Sequence, residues 1–178
     1  MRQPAELERQ PGLGAGATEE RHREGALHLV APQPHRGSIG GDCRMESTVM
    51  ICDYAEAING KFYVTGGGWN VCPPGPRNMS VLVWAMVPWA EANVKHQLRL
   101  ILLDDDGKVV ELGEPPAQVV QAGEFEVGRP PGVPAGTELD FKMVFGFGGL
   151  PLETDKGYRW QVEIDGEPAG EQSFMTRG

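Results

Sequence analysis

The sequence has few of the residues that mark several large classes of protein. Three cysteines among 178 residues are too few for a disulfide scaffold, and their spacing matches no zinc-binding motif. No apolar run approaches the ~20 residues of a membrane-spanning helix, so we expect no membrane partner. The net charge of -9 argues against a nucleic acid partner, because phosphate binding needs a basic face. The class that remains is an acidic globular protein.

Residues 1–44 lack aromatic residues and lysine altogether, although the chain contains 13 aromatics and five lysines. Such a segment cannot bury enough apolar area to offset its chain entropy, so we expect a disordered or non-native extension. Its Arg, Gly, Ala and Pro are typical of translated GC-rich upstream DNA, and Gly40-Gly41-Asp42 can be encoded by a ribosome-binding sequence. We therefore hypothesise that Met45, or failing that Met50, is the natural start, with one domain over 45–178.

The rest of the chain has a hydrophobic period of two, which indicates β-strands. Apolar and polar side chains alternate along Tyr158–Ile164, Leu139–Phe147 and Lys95–Leu103. Further strands are expected at positions 50–57, 61–65, 79–87, 108–112, 118–127 and 172–176. Asn59-Gly60, Asp106-Gly107 and Asp165-Gly166 supply the positive φ of tight hairpins between them. These signals predict an antiparallel β-sandwich of about seven to nine strands, immunoglobulin-like or related, with a barrel as the alternative.

Two segments interrupt the alternation. Val81–Val87 is apolar at nearly every position, which predicts a strand that is buried on both faces or that meets a partner on one. The Pro- and Gly-rich segment Arg129–Gly136 lacks the N–H donors of a strand and is expected to be a stiff crossover.

The sequence contains no recognisable catalytic constellation, so we expect neither an enzyme nor a cofactor. His96 lies in register with three leucines and is interpreted as a structural histidine. Cys52 falls in a predicted strand and Cys72 in a Gly/Pro-rich loop, where both are expected to be unreactive thiols.

Two short motifs resemble ligand-binding loops, one for calcium and one for phosphate, but neither fits the pattern of its class. Asp104-Asp105-Asp106-Gly107 lacks the alternating acids of a calcium loop and is interpreted as a solvated turn, so no metal site is expected. Gly66-Gly67-Gly68-Trp69 follows a strand as a phosphate-binding loop would. The residues after it are too rich in Pro to begin a helix, so we interpret the glycines as a bulge or a flexible loop.

Aromatic side chains near predicted loops are the strongest remaining candidates for binding. Trp69 and Trp89 lie in Gly- or Pro-flanked turns, where an indole ring either stacks on a ligand or caps the core. Arg129, at the start of the crossover, is the third candidate binding residue. Trp84 and Trp160 lie within strands and are expected in the core.

Several short motifs resemble an uncharacterised bacterial family, common in actinobacteria, that is known only as a domain of unknown function. The resemblance spans about Ile51 to Arg177. It rests on the segments Cys52–Ala55, Asn59–Lys61 with Gly66–Trp69, Pro88–Asn93, Val127–Gly132, Phe147–Leu152 and Tyr158–Gly166. It implies a compact cytoplasmic bacterial β domain, and it implies no activity, ligand or catalytic residue.

Two functions remain open at this stage. The first is a non-enzymatic interaction or scaffolding module that uses the Trp69 and Trp89 end of the sandwich, or uses Val81–Val87 for another protein or a second copy. The second is a small-ligand or carbohydrate-binding module in which Trp69 and Trp89 serve as stacking platforms.

Overall fold

The computed structural model describes residues 44–178, which form strands, turns and a single 3-10 turn at Trp89–Glu91. The strands are β1 (Glu46–Ile58), β2 (Lys61–Gly67), β3 (Val71–Cys72), β4 (Gly75–Val87), β5 (Lys95–Asp104), β6 (Glu111–Leu112), β7 (Ala117–Gln118), β8 (Val120–Glu126), β9 (Leu139–Leu152), β10 (Gly157–Ile164) and β11 (Glu167–Thr176). In this part of the chain no helix is long and apolar enough to cross a membrane. The expectations for residues 1–43, including the start at Met45 that would remove Cys43, concern a segment outside the described residues.

Two sheets make up the body of the fold. The four-stranded sheet has the order β2-β1-β4-β9, and the five-stranded sheet has the order β3-β11-β10-β5-β8. Strands β6 and β7 form a separate two-stranded ribbon. All pairings are antiparallel except that of β3 with β11. The all-β fold predicted from the sequence is confirmed.

The two sheets pack face to face over one hydrophobic core. Trp160 of β10 is fully buried, as expected, and its ring lies 4.4 Å from that of Phe147 on β9. Phe125 of β8 stacks on Phe141 of β9 at 4.0 Å. Each contact joins the two sheets, and each fully buried large apolar side chain contributes roughly 1.5–3 kcal/mol by leaving water. The alternation along β10 therefore predicts the core face of that strand correctly.

The strand predicted at 108–112 is largely absent. Asp104 Oδ1 accepts hydrogen bonds from the backbone N–H groups of Asp106 and Lys108, at 2.9 and 2.8 Å, which closes the predicted turn. Beyond it, the chain makes one isolated bridge, from Leu103 to Val109, before the two-residue strand β6. Gly113 then takes a positive φ of 86° and two prolines follow, so the ladder cannot continue.

The first hairpin extends beyond the sheet that it belongs to. Strand β1 pairs with β4 from Glu46 only as far as Cys52, which lies opposite Ser80. Its pairing with β2 continues to Ile58, opposite Lys61. The distal half of this hairpin therefore separates from β4, and β2 is an edge strand of the four-stranded sheet.

Candidate functional site

Strand β4 is apolar on both faces, as its sequence predicts, and the two faces have different surroundings. Val81, Val83 and Ala85 point into the core between the sheets and are fully buried. The alternate residues Leu82, Trp84 and Met86 lie on the outer face of the four-stranded sheet. Together with two neighbours in register they form a surface that we call the apolar face: Met50, Leu82, Trp84, Met86 and Val144.

Trp84 is at the exposed centre of the apolar face, and the expectation that it lies in the core is wrong. Its residue is 38 % exposed. The register places it between Thr48 of β1 and Lys142 of β9. The Lys142 ammonium lies 5.2 Å from the centre of the indole ring and also pairs with Asp140. Because both neighbours of Trp84 are apolar, alternation alone cannot show which face it occupies.

Leu82 is the buried part of the apolar face. It is 2 % exposed and packs with the buried residues Cys52 and Ala55, while Phe62 and Val144 cover the cluster from the sides. The outer face of β4 is therefore buried at Leu82 and exposed at Trp84. The sequence left open whether this strand is buried on both faces or exposed on one. The structure shows burial on both faces at Leu82 and exposure of the outer face at Trp84.

The outer face of the five-stranded sheet is charged. Three ion pairs cross its strands: Lys95–Glu124 at 3.6 Å, Arg99–Glu163 at 2.8 Å and Arg159–Glu171 at 3.4 Å. Gln97 adds a side-chain hydrogen bond to Glu124 at 2.7 Å. We call these six ion-paired residues the charged face. These side chains are between 16 % and 71 % exposed, and exposed ion pairs of this kind add little to stability.

An open cleft of about 700 Å³ lies where β1 leaves β4. The part of the β1–β2 hairpin beyond Cys52, which we call the hairpin arm, contributes Asp53 and Glu56. Strands β4 and β9 contribute Asn78 and Lys142. His96 belongs to the other sheet and is absent from this cleft. The cleft therefore brings two carboxylates near a lysine and contains no histidine.

His96 is a structural residue at the end of the five-stranded sheet. It is 2 % exposed, its Nδ1 lies 2.8 Å from Asp165 Oδ2, and its Nε2 lies 3.0 Å from the Glu91 carbonyl oxygen. Both ring nitrogens face acceptors, which only the protonated imidazolium can satisfy. Burial lowers the pKa of His96, but the hydrogen bonds to Glu91 and Asp165 outweigh burial and leave it raised.

The three candidate binding residues are not gathered in one place. Trp89 and Arg129 are neighbours: the Arg129 Nη2 donates to the Trp89 carbonyl at 2.9 Å, and its guanidinium lies 5.0 Å from the ring centre. Trp69 lies near the opposite end of the sheet, where its ring meets the edge of Phe174 at 5.9 Å. The interpretation that Trp69 and Trp89 share one end of the sandwich is therefore wrong.

Neither described cysteine has the surroundings of a reactive thiol. Cys52 and Cys72 are both buried, and burial is the main cause that raises the pKa of each thiol. Within residues 44–178 no group of three or more His, Cys, Asp or Glu side chains is arranged to hold a metal ion.

Sequence reasoning missed the exposed side chains of the first hairpin. Four large residues of β1 and β2 are at least 40 % exposed: Tyr54, Ile58, Tyr63 and Val64. A signal for them exists in the distribution of charge, because the sequence has no acidic residue between Glu56 and Glu91. That acid-free stretch contains β2, β3 and β4, and it is conspicuous in a chain with 25 Asp and Glu.

Comparison with known proteins gives a family and no activity. A model of a family of unknown function, DUF6941, matches residues 47–176, so the chain belongs to that family. Searches of curated proteins and of solved structures gave no significant match. The resemblance to a domain of unknown function is thus confirmed.

Proposed function

We propose that this member of the DUF6941 family is a non-enzymatic interaction module that binds another protein through the apolar face of its four-stranded sheet. The observation that carries the proposal is the exposure of Trp84 on that face, where it is 38 % open between Leu82 and Met86 along the same strand. A charged or polar residue at this position would complete an ordinary solvated strand. The outer face of the other sheet is built in that solvated way.

The surroundings of Trp84 suit an anchor residue in a protein interface. Large aromatic side chains in a desolvated pocket dominate the binding energy of many interfaces, and a polar rim around them sets orientation. Leu82, two residues before Trp84 on the same face of the strand, is buried among other apolar side chains. Lys142 lies beside the indole ring as a charged group on the rim. Strand β4 is paired on both sides, with β1 and β9, so its backbone is already ordered before a partner binds. Binding should therefore cost little conformational entropy.

The surroundings of one histidine and two cysteines support a non-enzymatic role. In the described part of the chain, both nitrogens of His96 are engaged by Glu91 and Asp165. The thiols of Cys52 and Cys72 are buried, with a raised pKa.

Affinity purification with matched variants tests the proposal. The full chain carries a C-terminal tag, is expressed in its organism of origin, and its partners are quantified by mass spectrometry. We expect one stoichiometric protein that the Trp84→Ala variant loses by about 30-fold, which is the effect of removing a hot spot of ~2 kcal/mol. The control is Val94→Ala, which changes a 45 % exposed apolar residue outside the sheets and should leave recovery unchanged. Equal recovery by both variants, or no partner at all, would overturn the proposal.

Small-ligand binding is the second candidate, and the cleft between the hairpin arm and β4 is the observation that favours it. Its lining combines the apolar Ala55 and Phe147 with the polar groups of Asp53, Asn78 and Lys142, a mixture typical of ligand sites. Lys142 is also in contact with Trp84, so ligand binding there should change indole fluorescence. A panel of glycans and metabolites that leaves the fluorescence unchanged would eliminate this candidate.

A further inference from the structure

The edge strand β2 is the most exposed strand of the two main sheets. Every residue of Lys61–Gly67 is exposed except the half-buried Phe62. Unpaired N–H and C=O groups of an edge strand form a template for pairing with another strand. Proteins commonly block such edges with several charges or with proline, and β2 has one lysine and no proline.

The side chains on this hairpin resemble those of a strand within a sheet. Tyr54 and Tyr63 are each 55 % exposed, and Val64 is 40 % exposed. Tyr54 lies opposite Thr65, and Tyr63 lies opposite Glu56, so all four side chains share one face of the hairpin. Aromatic and β-branched side chains gain stability from cross-strand neighbours, and the described residues supply those neighbours on one side of β2 only.

We infer that two copies of this chain associate by antiparallel pairing of their β2 strands, around a twofold axis at Val64. Val64 is the midpoint of Lys61–Gly67, so this register places every residue of the strand opposite another, with a bend at Gly66, whose φ is 61°. It places Tyr63 of each copy opposite Thr65 of the other, and Lys61 opposite Gly67. No two like charges face each other along the ladder.

Charge favours a second copy at this edge in preference to other parts of the surface. The chain has a net charge of -9, so two copies repel each other over most orientations. From Ala57 to Ala90 the only charged residues are Lys61 and Arg77, and neither is acidic. Strand β2 itself carries no carboxylate, and Asp53 and Glu56 of the paired strand β1 lie one strand in from the edge.

This association goes beyond the proposed function and does not depend on it. The apolar face is centred on β4, two strands from the edge. Pairing at β2 would extend the four-stranded sheet into a sheet of two copies and place two apolar faces on one assembly. A partner with two binding segments would then gain avidity from the assembly.

Sedimentation equilibrium of the full chain, with charge variants at the axis, tests the inference. The unmodified chain should show a monomer–dimer equilibrium. Val64→Lys and Val64→Glu should each weaken it by about tenfold, because each places two like charges opposite one another. An equimolar mixture of the two variants should restore dimers, since unlike charges then meet at the axis. The control Val94→Lys should leave the dimer unchanged.

Three results would overturn the inference. These are a monomer at all accessible concentrations, a dimer indifferent to both charges at Val64, and a mixture that fails to restore association. Circular dichroism of each variant verifies that the fold is intact. An unmodified chain that is monomeric but still binds its partner through Trp84 would contradict the β2 inference alone. The effect of Trp84→Ala on partner binding tests the proposed function and does not test the β2 inference.

Discussion

The outer faces of the two sheets differ in the chemistry of equivalent positions. On the five-stranded sheet, Arg99 and Glu163 face each other across neighbouring strands and pair at 2.8 Å. On the four-stranded sheet, Met50 and Leu82 occupy the corresponding kind of position. The charges of the first pair neutralise each other, with the Arg99 side chain 48 % exposed, whereas the second pair is apolar, with Leu82 buried and Met50 half-buried. This difference is the basis for proposing the apolar face as the binding surface.

The inner faces show no such difference. Val81 and Val83 on one sheet and Leu100 and Val162 on the other are all fully buried. Both sheets therefore contribute in the same way to stability, and only their outer faces diverge. Substitutions that separate stability from binding can test this division.

The largest effect is expected from a comparison of two tryptophans. Trp160→Ala should lower the free energy of unfolding by about 3–5 kcal/mol, because it opens a cavity between the sheets. Trp84→Ala should lower it by only about 1 kcal/mol, since the ring is already 38 % exposed. Urea denaturation measures both. Equal losses would mean that Trp84 serves the core and not a surface.

A smaller effect is expected where the two sheets approach most closely. A Cβ atom at Gly170 of β11 would lie 2.2 Å from the Ser47 carbonyl oxygen of β1, so the backbone must move to admit it. Gly170→Ala should therefore cost about 1–3 kcal/mol. Gly123 of β8 has no atom within 4 Å of such a Cβ, and Gly123→Ala is the matched control. Equal midpoints in urea would disprove the close approach.

The charged imidazole of His96 should make stability depend on pH. Its pKa is raised in the folded state above the ordinary value of about 6.5, so its contribution is complete below that value and lost as pH rises through the folded pKa. Burial raises the pKa of Asp165, but the hydrogen bonds from His96 and Gln97 leave it lowered, so the Asp165 contribution is lost in acid. His96→Gln should cost about 1–2 kcal/mol near pH 6.

Urea midpoints between pH 5 and pH 9 measure this effect. The difference between the unmodified chain and His96→Gln should narrow as pH rises. A difference that stays constant would show that folding leaves the pKa of His96 unchanged. Because His96 binds the Glu91 carbonyl, the same titration should shift NMR signals of the 3-10 turn.

The smallest effect is expected on the charged face. Arg99→Ala removes an ion pair whose arginine side chain is 48 % exposed, and exposed pairs contribute about 0.2–1 kcal/mol. The loss should shrink further in 0.5 M salt, where such pairs are screened. A loss above 2 kcal/mol, or one indifferent to salt, would contradict the interpretation of this face as a solvated surface.

The sequence predicts the parts of this fold in which neighbouring residues differ in polarity. Trp160 stands between Arg159 and Gln161, so alternation assigns its ring to the core correctly. Trp84 stands between Val83 and Ala85, and there the same rule carries no information. The strands β3, β6 and β7 have two residues each, and such short ladders depend on tertiary neighbours that a local pattern cannot show.

The candidate site was harder to predict than the fold, because it depends on strand order. The segment Val81–Val87 is recognisable in the sequence from its two apolar faces. Only the structure shows which of its side chains are exposed to solvent. The separation of Trp69 from Trp89 follows from where their strands lie in the sheets, which no spacing along the chain reveals. The edge position of β2 follows from strand order in the same way.

Site-specific photocrosslinking on both outer faces tests the central claim most directly. A photoreactive amino acid replaces Trp84 in one variant of the full chain and Arg99 in another, and both are irradiated in the organism of origin. The account predicts a discrete protein adduct from position 84 and none from position 99. Adducts from position 99, or from neither position, would contradict the assignment of the apolar face as the binding surface.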